Sequence, residues 1–183
     1  MRRRVRGKDA VVLPLDEVEL RDVPADGDCL FHALRMEFNG CAKTSRPKLV
    51  LVGRPALPDG AALRAWYLEY IRTTDVVLDG LPVSMWLEKP VEEYCDAMRR
   101  PDVADGNTWG GFVDACIIAD AVEGKASILM LDERLDGFHA IAWSRTDIRD
   151  HRRIVTLAWM ETHWMRARLR QSAWDRLFAG WPI

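Results

Sequence analysis

Hydrophobic residues recur at helical spacing in the first two-thirds of the chain. Leu30, Ala33, Leu34 and Phe38 follow a turn cluster and lie three or four residues apart, which is the spacing of one face of a helix. Cys29 therefore falls at the first turn of a predicted helix. Three further stretches show similar amphipathic or apolar helical patterns, and they run over residues 63–71, 90–98 and 112–122.

The pattern changes after Lys125, where short apolar runs alternate with polar turns. These runs cover residues 128–131, 139–143 and 154–159, with a further extended piece around residues 163–165. Short apolar runs bounded by turn residues are typical of strands. A short closing helix is predicted over residues 172–179. Helices first and strands last predict an α+β fold with helices packed on a small, mostly antiparallel sheet.

The chain of 183 residues is predicted to form one domain. We assign residues 1–20 to an N-terminal arm that carries a short edge strand, and residues 21–183 to the domain itself. Residues 41–60 hold three prolines and two glycines, which indicates a loop insertion carrying a hairpin strand. Asp59 is placed to cap the helix that follows.

Composition narrows the function without defining it. The 26 basic and 28 acidic residues give a net charge of −2, so a nucleic-acid partner is not indicated. No apolar run reaches the roughly 20 residues that span a bilayer. Four cysteines lie far apart without a CxxC pair, which favours reduced thiols over a disulfide framework. We expect a monomer in the cytoplasm, the host-cell cytoplasm if the source is viral.

Chemistry is concentrated in the segment Asp26-Gly27-Asp28-Cys29. A free thiol has a pKa near 8.5, and a helix N-terminus favours its thiolate form. Gly27 allows unusual backbone angles close to a substrate carbonyl, and the N–H groups of this loop are natural oxyanion donors. The alternative is a buried cysteine at the start of a core helix, behind an ordinary Asp-Gly turn.

These residues resemble the nucleophile motif of the OTU (ovarian-tumour) cysteine proteases, which are deubiquitinases. The resemblance runs from about residue 20 to residue 170 and keeps the family's order of motifs. Its parts are the segment from Asp26 to Phe31 followed by Ala33, the helix from Leu63 to Ile71, Glu93-Tyr94 with Met98, Trp109-Gly110-Gly111, and His163-Trp164. The resemblance implies a papain-type α+β protease domain without a cofactor or a metal.

The resemblance also assigns roles. Cys29 would be the nucleophile, His163 the general base, and Asp26 a further active-site residue. Many members carry Asp or Asn two positions after the histidine to orient its ring, but this chain has Met165 there, and a thioether is at best a weak acceptor. Either Asp26 or another acceptor orients His163, or the enzyme works with a Cys–His dyad, or the domain is weak or inactive.

A second set of residues would surround the substrate. Gly27 and Asp28 would form the oxyanion loop, and the Asp28 carboxylate is a candidate to face the basic tail of ubiquitin. Gly110 and Gly111 would leave a narrow channel for a Gly-Gly tail, with Trp109 beside them and Trp164 as a wall. The alternative for Trp109-Gly110-Gly111 is an ordinary turn with a buried anchor.

Three other histidines compete with His163. His32 follows Cys29 on the same helix and is predicted to be structural, because a side chain on that helix is poorly placed as a base. His139 opens a strand and is the second choice for the base. His151 lies in a charged turn and is expected to be solvated. Cys29 and His32 form a Cys-x-x-His pair, but no second spaced pair exists to complete a zinc site.

The sequence therefore predicts a deubiquitinase that cleaves isopeptide bonds after the C-terminal glycine of ubiquitin through a thioester on Cys29. Its partners would be ubiquitin, polyubiquitin or a ubiquitin-like modifier, with no nucleic acid and no membrane. One alternative is an inactive OTU-like module that binds ubiquitin without cleaving it. Another is a cysteine hydrolase that acts on a different modifier or on a small amide.

Overall fold

The computed structural model describes residues 11–38, 50–51, 57–99, 109–143 and 153–180. It contains six helices and eight strands within those ranges. In chain order they are β1 (Val12–Leu13), β2 (Val18–Arg21), α1 (Cys29–Phe38), α2 (Gly60–Thr73), β3 (Val77–Leu78), β4 (Leu81–Pro82), α3 (Val83–Trp86), α4 (Val91–Met98), α5 (Phe112–Asp120), β5 (Ser127–Arg134), β6 (Gly137–Trp143), β7 (Ile154–Met160), β8 (His163–Leu169) and α6 (Gln171–Gly180).

Six of the strands form one sheet in the order β1-β6-β5-β7-β8-β2. The neighbours β5 and β7 are parallel, and the other four described pairings are antiparallel. The predicted α+β class with a mostly antiparallel sheet is therefore confirmed. β1 and β2 form the two edges of this sheet, so residues 12–13 and 18–21 lie within it.

Two hydrophobic cores lie on opposite faces of the sheet. Ile128 and Val155 pack into the larger core together with α1, α2, α4 and α5. Their strand neighbours Leu129 and Ile154 pack into the smaller core with α6 and β1. Alternate residues of a strand face opposite sides, which accounts for the nearly continuous apolar runs in β5 and β7.

The helix that begins at Cys29 and the strand that begins at His163 are in direct contact. α1 begins at Cys29 and packs on β8, which begins at His163. A buried ion pair between Glu37 and Arg166 joins the two elements further along. Burial of either residue without the other would leave an unpaired charge in the core. The ion pair therefore helps to define how α1 lies on β8.

Local signals account for most helix boundaries. Asp59 caps α2 by accepting the N–H of Ala62 at 2.8 Å, as expected. The hairpin of β3 and β4 and the short α3 have no counterpart in the predicted elements. Most of the predicted insertion at 41–60 lies outside the described residues. Leu51 within it forms a bridge with Val122.

Candidate active site

Cys29 is the first residue of α1 and is buried at the foot of β8. The carbonyl of Asp28 accepts the N–H of His32 at 2.9 Å, which starts the helix one residue before the cysteine. Gly27 has φ +82°, a left-handed conformation that favours glycine. The backbone N–H of Trp164, the second residue of β8, lies close enough to the Cys29 sulfur to lower the pKa of its thiol. The sulfur therefore lies against the peptide that joins His163 to Trp164.

The pKa of the Cys29 thiol is raised, chiefly because burial disfavours the thiolate, and the carboxylate of Asp26 adds to this effect. The backbone N–H groups of Trp164, Leu30 and Cys29 itself act in the opposite direction. The N–H groups at the start of α1 favour the thiolate as expected, but burial outweighs them. A thiol that keeps its proton needs a base to remove it.

His163 binds an aspartate that the sequence did not single out. Its Nε2 lies 3.0 Å from Oδ1 of Asp22, and the N–H of Val23 donates to the same oxygen at 2.9 Å. A carboxylate only accepts, so Nε2 carries the proton and Nδ1 is the nitrogen that can receive one. Asp22 thus fixes both the tautomer and the orientation of the ring.

Strand register explains why the acceptor comes from Asp22. The last pair of the antiparallel β2–β8 ladder is Arg21 with Arg166. One step further along, Asp22 is level with Met165. Because residues two apart in a strand share a face, His163 and Met165 face the same way. A carboxylate from the neighbouring chain segment therefore lies level with Met165 and binds the ring of His163.

Asp26 is bound on the other side of the cysteine loop. Its two carboxylate oxygens accept the N–H of Asp28 at 3.0 Å and bind Nε2 of His32 at 3.1 Å. Nδ1 of His32 accepts the N–H of Gly60 at 3.2 Å. The structure therefore brings Asp26 close to Cys29 but joins it to His32, and it is Asp22 that binds His163.

These contacts lower the pKa of Asp26. Partial burial alone would raise it, but the N–H of Asp28 and the His32 ring together outweigh burial. Asp26 therefore stays ionised across the neutral range. The N–H of Asp28 is occupied by this carboxylate, so in this arrangement it is not open to a substrate oxygen.

The carboxylate of Asp28 points into the protein. It is buried and accepts a hydrogen bond from Nε of Arg64, which is a buried residue of α2. The expectation that Asp28 faces the basic tail of a substrate is therefore wrong, because its charge is already neutralised inside. The apolar stripe over residues 63–71 predicts that Arg64 turns away from the core, and this prediction is wrong because Arg64 is buried.

Trp109, Gly110 and Gly111 lie in the loop before α5, next to the start of α1. A Cβ on Gly110 would lie 2.7 Å from Cδ2 of Leu30 and 2.9 Å from Cε2 of Phe31. Gly110 is therefore needed for close packing of the loop on α1. A Cβ on Gly111 would meet nothing closer than 3.7 Å, so of the two glycines Gly111 is the one that leaves open room.

Trp164 is buried and attaches the base strand to this loop. Its indole Nε1 donates to the Gly110 carbonyl at 3.0 Å, and its ring lies 4.9 Å from that of Trp159. The ring is thus held between β7 and the loop, while its backbone N–H reaches the sulfur of Cys29. Trp164 is both a core residue and a neighbour of the nucleophile.

A buried carboxylate holds the other end of the loop. Asp114, in the first turn of α5, accepts the N–H of Gly111 at 2.6 Å, and it also accepts the hydroxyls of Tyr67 and Tyr94. Burial raises the pKa of Asp114, although the two hydroxyls and the N–H oppose this. The only sign of this network in the sequence is a polar residue in an apolar helix.

His139 lies away from the nucleophile. It aligns with Asp132, Trp159 and Trp164 in one row across the sheet. It is therefore three strand spacings from β8, about 14 Å. Its Nε2 binds Asp136 at 2.8 Å. His139 is not placed to act as the base for Cys29, and His151 lies outside the described residues.

Among the described residues, no group of three or more His, Cys, Asp or Glu side chains is arranged to hold a metal ion. Cys29, Cys95 and Cys116 are buried thiols that form no disulfide with one another. No described helix is long and apolar enough to cross a membrane.

Comparison with solved structures identifies the fold. The sequence matches no family model and no curated protein. The structure is similar to the Hazara virus OTU bound to ubiquitin, with a TM-score of 0.56, 19% identity, and coverage of 88% of this chain and 87% of that one. It is also similar to the viral OTU domain protease from Dera Ghazi Khan virus, with a TM-score of 0.54, 18% identity, and coverage of 85% and 83%.

A third match comes from bacteria. The OTU deubiquitinase from Wolbachia pipientis wMel, bound to ubiquitin, matches with a TM-score of 0.52, 13% identity, and coverage of 85% of this chain and 98% of that one. These matches cover most of each chain, so this chain has the OTU fold, a papain-like α+β architecture. The resemblance found in the sequence motifs is confirmed at the level of the fold.

Proposed function

We propose that this chain is a cysteine-type deubiquitinase that hydrolyses the amide bond after the C-terminal glycine of ubiquitin. The observation that carries the proposal is the packing of α1, which begins at Cys29, on β8, which begins at His163. The contact of His163 with Asp22 supports it, because the ring is held in the tautomer that a base needs. Two matched proteins of this fold were solved with ubiquitin bound.

Acylation begins with proton transfer. His163 takes the proton from the Cys29 thiol at Nδ1, and the sulfur attacks the carbonyl carbon of the terminal glycine. The carbonyl oxygen becomes an oxyanion, which requires N–H donors beside the cysteine. The carbon–nitrogen bond then breaks, and the protonated His163 gives its proton to the leaving amine. The glycine remains attached to Cys29 as a thioester.

Deacylation reverses these roles. His163 removes a proton from water, whose oxygen attacks the thioester carbonyl. The carbon–sulfur bond breaks, ubiquitin leaves with a free carboxylate, and the Cys29 sulfur recovers its proton from His163. Asp22 accepts the Nε2–H of His163 throughout and stabilises the imidazolium that forms in each step.

The open side of Gly111 fits the proposed substrate. Its ideal Cβ position has no atom within 3.7 Å, whereas Gly110 is packed against α1. We propose that the Gly-Gly tail of ubiquitin passes Gly111, between the loop before α5 and the start of β8. A substrate without side chains next to the cleaved bond is the one that such a channel admits.

A ubiquitin probe with a C-terminal electrophile tests the proposal. The full chain should form a covalent adduct that is absent with Cys29→Ala and strongly reduced with His163→Ala. His139→Ala is the matched control, because this histidine also binds an aspartate but lies across the sheet. Loss of the adduct with His139→Ala, but not with His163→Ala, would assign the base to His139.

Two other outcomes would change the assignment. Binding of ubiquitin without an adduct would mean that the domain is an inactive ubiquitin-binding module, which is the hypothesis that Met165 motivates. An adduct with a ubiquitin-like modifier, but not with ubiquitin, would change the substrate while keeping the chemistry. A panel of probes built on different modifiers separates these outcomes.

A further inference from the structure

Arg64 of α2 is buried directly beneath the cysteine loop. Its guanidinium donates to the Asp28 carboxylate and to the Gly27 carbonyl, and on its other side it donates to the Met98 carbonyl at 2.9 Å. The central carbon of the guanidinium, Cζ, also lies 4.7 Å from the centre of the Phe31 ring. One side chain thus binds two consecutive residues of the loop that precedes the nucleophile.

Asp28 is the N-cap residue of α1, since its carbonyl accepts the first helical N–H, that of His32. An aspartate at an N-cap ordinarily accepts the N–H of the second or third helical residue, here Leu30 or Phe31. In this structure the carboxylate binds Arg64 instead. The N–H of Leu30 is therefore not taken by Asp28, and it acts to lower the pKa of the adjacent Cys29 thiol.

The contact with Gly27 fixes the peptide that joins Gly27 to Asp28. No described peptide bond is cis, and in a trans peptide the carbonyl and the N–H point in opposite directions. Because Arg64 holds the Gly27 carbonyl inward, the N–H of Asp28 points away from α2. It donates there to Oδ1 of Asp26 at 3.0 Å.

We propose that Arg64 is a positioning residue that keeps the Asp28 carboxylate off the first N–H groups of α1, so that these groups serve the Cys29 sulfur and the oxyanion. This role rests on the proposed function, in which Cys29 is the nucleophile. Without Arg64, the Asp28 carboxylate has its ordinary N-cap donors, the N–H groups of Leu30 and Phe31, within reach. It would then occupy those N–H groups and place a second negative charge near the sulfur.

Arg64 acts through the loop and does not itself touch the reacting atoms. Loss of any buried arginine leaves its partner charge unpaired and destabilises the fold, so stability alone does not test the proposal. Arg166 supplies the matched control: it too is a buried arginine, and its partner is Glu37. Its described hydrogen bond does not involve the cysteine loop.

The test measures the ionisation of Cys29 directly. The rate of alkylation of Cys29 by iodoacetamide is followed against pH by mass spectrometry, at a temperature where circular dichroism shows each variant to be folded. The titratable groups around the sulfur are Asp26 on its own loop, with His32 behind it, and His163 of β8, with Asp22 behind it. All variants carry His163→Ala, which removes coupling to the imidazole.

Arg64→Met should move the midpoint of alkylation upward by about one pH unit, the size expected when a like charge approaches. Arg166→Met should leave the midpoint unchanged. An Arg64→Met profile that superimposes on the reference would overturn the proposal. Because alkylation needs no ubiquitin, this result is independent of the substrate assignment. A failed ubiquitin probe with an intact Arg64 effect would overturn the proposed function alone.

Two more variants keep the test decisive. Arg64→Gln is polar and neutral, so it can donate to the Gly27 carbonyl without balancing the charge of Asp28. It should shift the midpoint in the same direction even if Arg64→Met does not fold. Adding Asp28→Asn to either variant removes the displaced charge and should return the midpoint toward the reference. A shift that persists in the double variant would show that Asp28 is not its cause and would overturn the proposal.

Discussion

His163 donates through Nε2 to Oδ1 of Asp22 at 3.0 Å, across a sequence separation of 141 residues. The two are joined because β2 and β8 are antiparallel neighbours at the edge of the sheet. The side chain that usually orients the histidine from two positions downstream is replaced here by one from the adjacent strand end. The thioether of Met165 therefore does not by itself predict an inactive domain.

Substitution of Asp22 tests this replacement. Asp22→Ala should lower kcat by about 10- to 100-fold with little change in KM, which is less than the roughly 10⁴-fold effect of disabling the acid in a serine-protease triad. The effect is smaller because the Asp22 carboxylate is 79% exposed and water can replace part of its hydrogen bond. Kinetics with a fluorogenic ubiquitin substrate give both constants.

Asp136→Ala is the control for the Asp22 experiment, since Asp136 binds His139 with similar geometry far from Cys29. It should leave both constants close to those of the wild type. Equal rates for Asp22→Ala and the wild type would mean that His163 needs no orienting acid and that Cys29 and His163 act as a dyad.

Asp26 should behave differently from Asp22, because its carboxylate lies near the sulfur and binds His32 rather than His163. Asp26→Asn removes a charge that raises the pKa of Cys29 but keeps an acceptor for the Asp28 N–H. We expect alkylation of Cys29 near pH 8 to become severalfold faster, since the thiolate fraction rises as the pKa falls.

The loop contact separates the two Asp26 variants. Asp26→Ala also loses the hydrogen bond to the Asp28 N–H, so it should lose more catalytic activity than Asp26→Asn. If Asp26→Asn instead reduced kcat as strongly as Asp22→Ala does, Asp26 would be shown to orient His163, and the arrangement described here would be wrong for the active state.

The raised pKa of Cys29 predicts a particular dependence on pH. In His163→Ala no imidazole accepts the proton, so alkylation of Cys29 should still be increasing at pH 9, where an ordinary thiol is largely ionised. In the wild type, transfer to His163 should make the sulfur reactive at lower pH. A His163→Ala profile that levels off below pH 8 would contradict the burial effect.

The same shift has a consequence for stability. A group whose pKa is higher in the folded state holds its proton more tightly there, so its contribution is present below the unfolded pKa and is lost as pH rises through the folded one. The Tm of the wild type should therefore fall more steeply between pH 8 and pH 10 than that of Cys29→Ser. Parallel melting curves for the two proteins would contradict this.

How well the sequence predicts each element depends on how far apart in the chain the residues that define it lie. The helix that starts at Cys29 and the cap at Asp59 are local, because they depend on residues within one or two turns. The β5 to β8 strands were likewise visible as apolar runs. β3, β4 and β1 are two residues each, which is too short for a periodic pattern to register.

The missed site residues all depend on tertiary contacts. Asp22 is recognisable as the partner of His163 only once β2 is paired with β8, because this pairing places Asp22 opposite Met165. Arg64 falls outside the apolar stripe of α2, so the pattern places it on the outer face, and only its contact with the Asp28 carboxylate accounts for its burial. The ion pair with Arg64 also excludes Asp28 from the substrate groove, because a buried charge that is already neutralised does not attract a basic tail.

Gly110 and Gly111 are adjacent but should respond oppositely to the same substitution. Gly110→Ala would bring a Cβ to 2.7 Å from Leu30 and 2.9 Å from Phe31. Overpacking of this kind typically costs about 1–3 kcal/mol, and Gly110→Ala should lower the Tm. Gly111→Ala has room for its Cβ and a φ of −111°, so its Tm should stay within about a degree of the wild type.

For enzymatic activity we expect the opposite order. Among folded protein, Gly111→Ala should reduce activity more than Gly110→Ala does. If the Gly-Gly tail of ubiquitin passes Gly111, the added methyl group narrows the channel, and Gly111→Ala should raise KM or slow the reaction with the ubiquitin probe. Alkylation of Cys29 by iodoacetamide, which is small, should be unaffected. Full probe reactivity in a folded Gly111→Ala variant would remove Gly111 from the substrate path and leave the loop with a packing role alone.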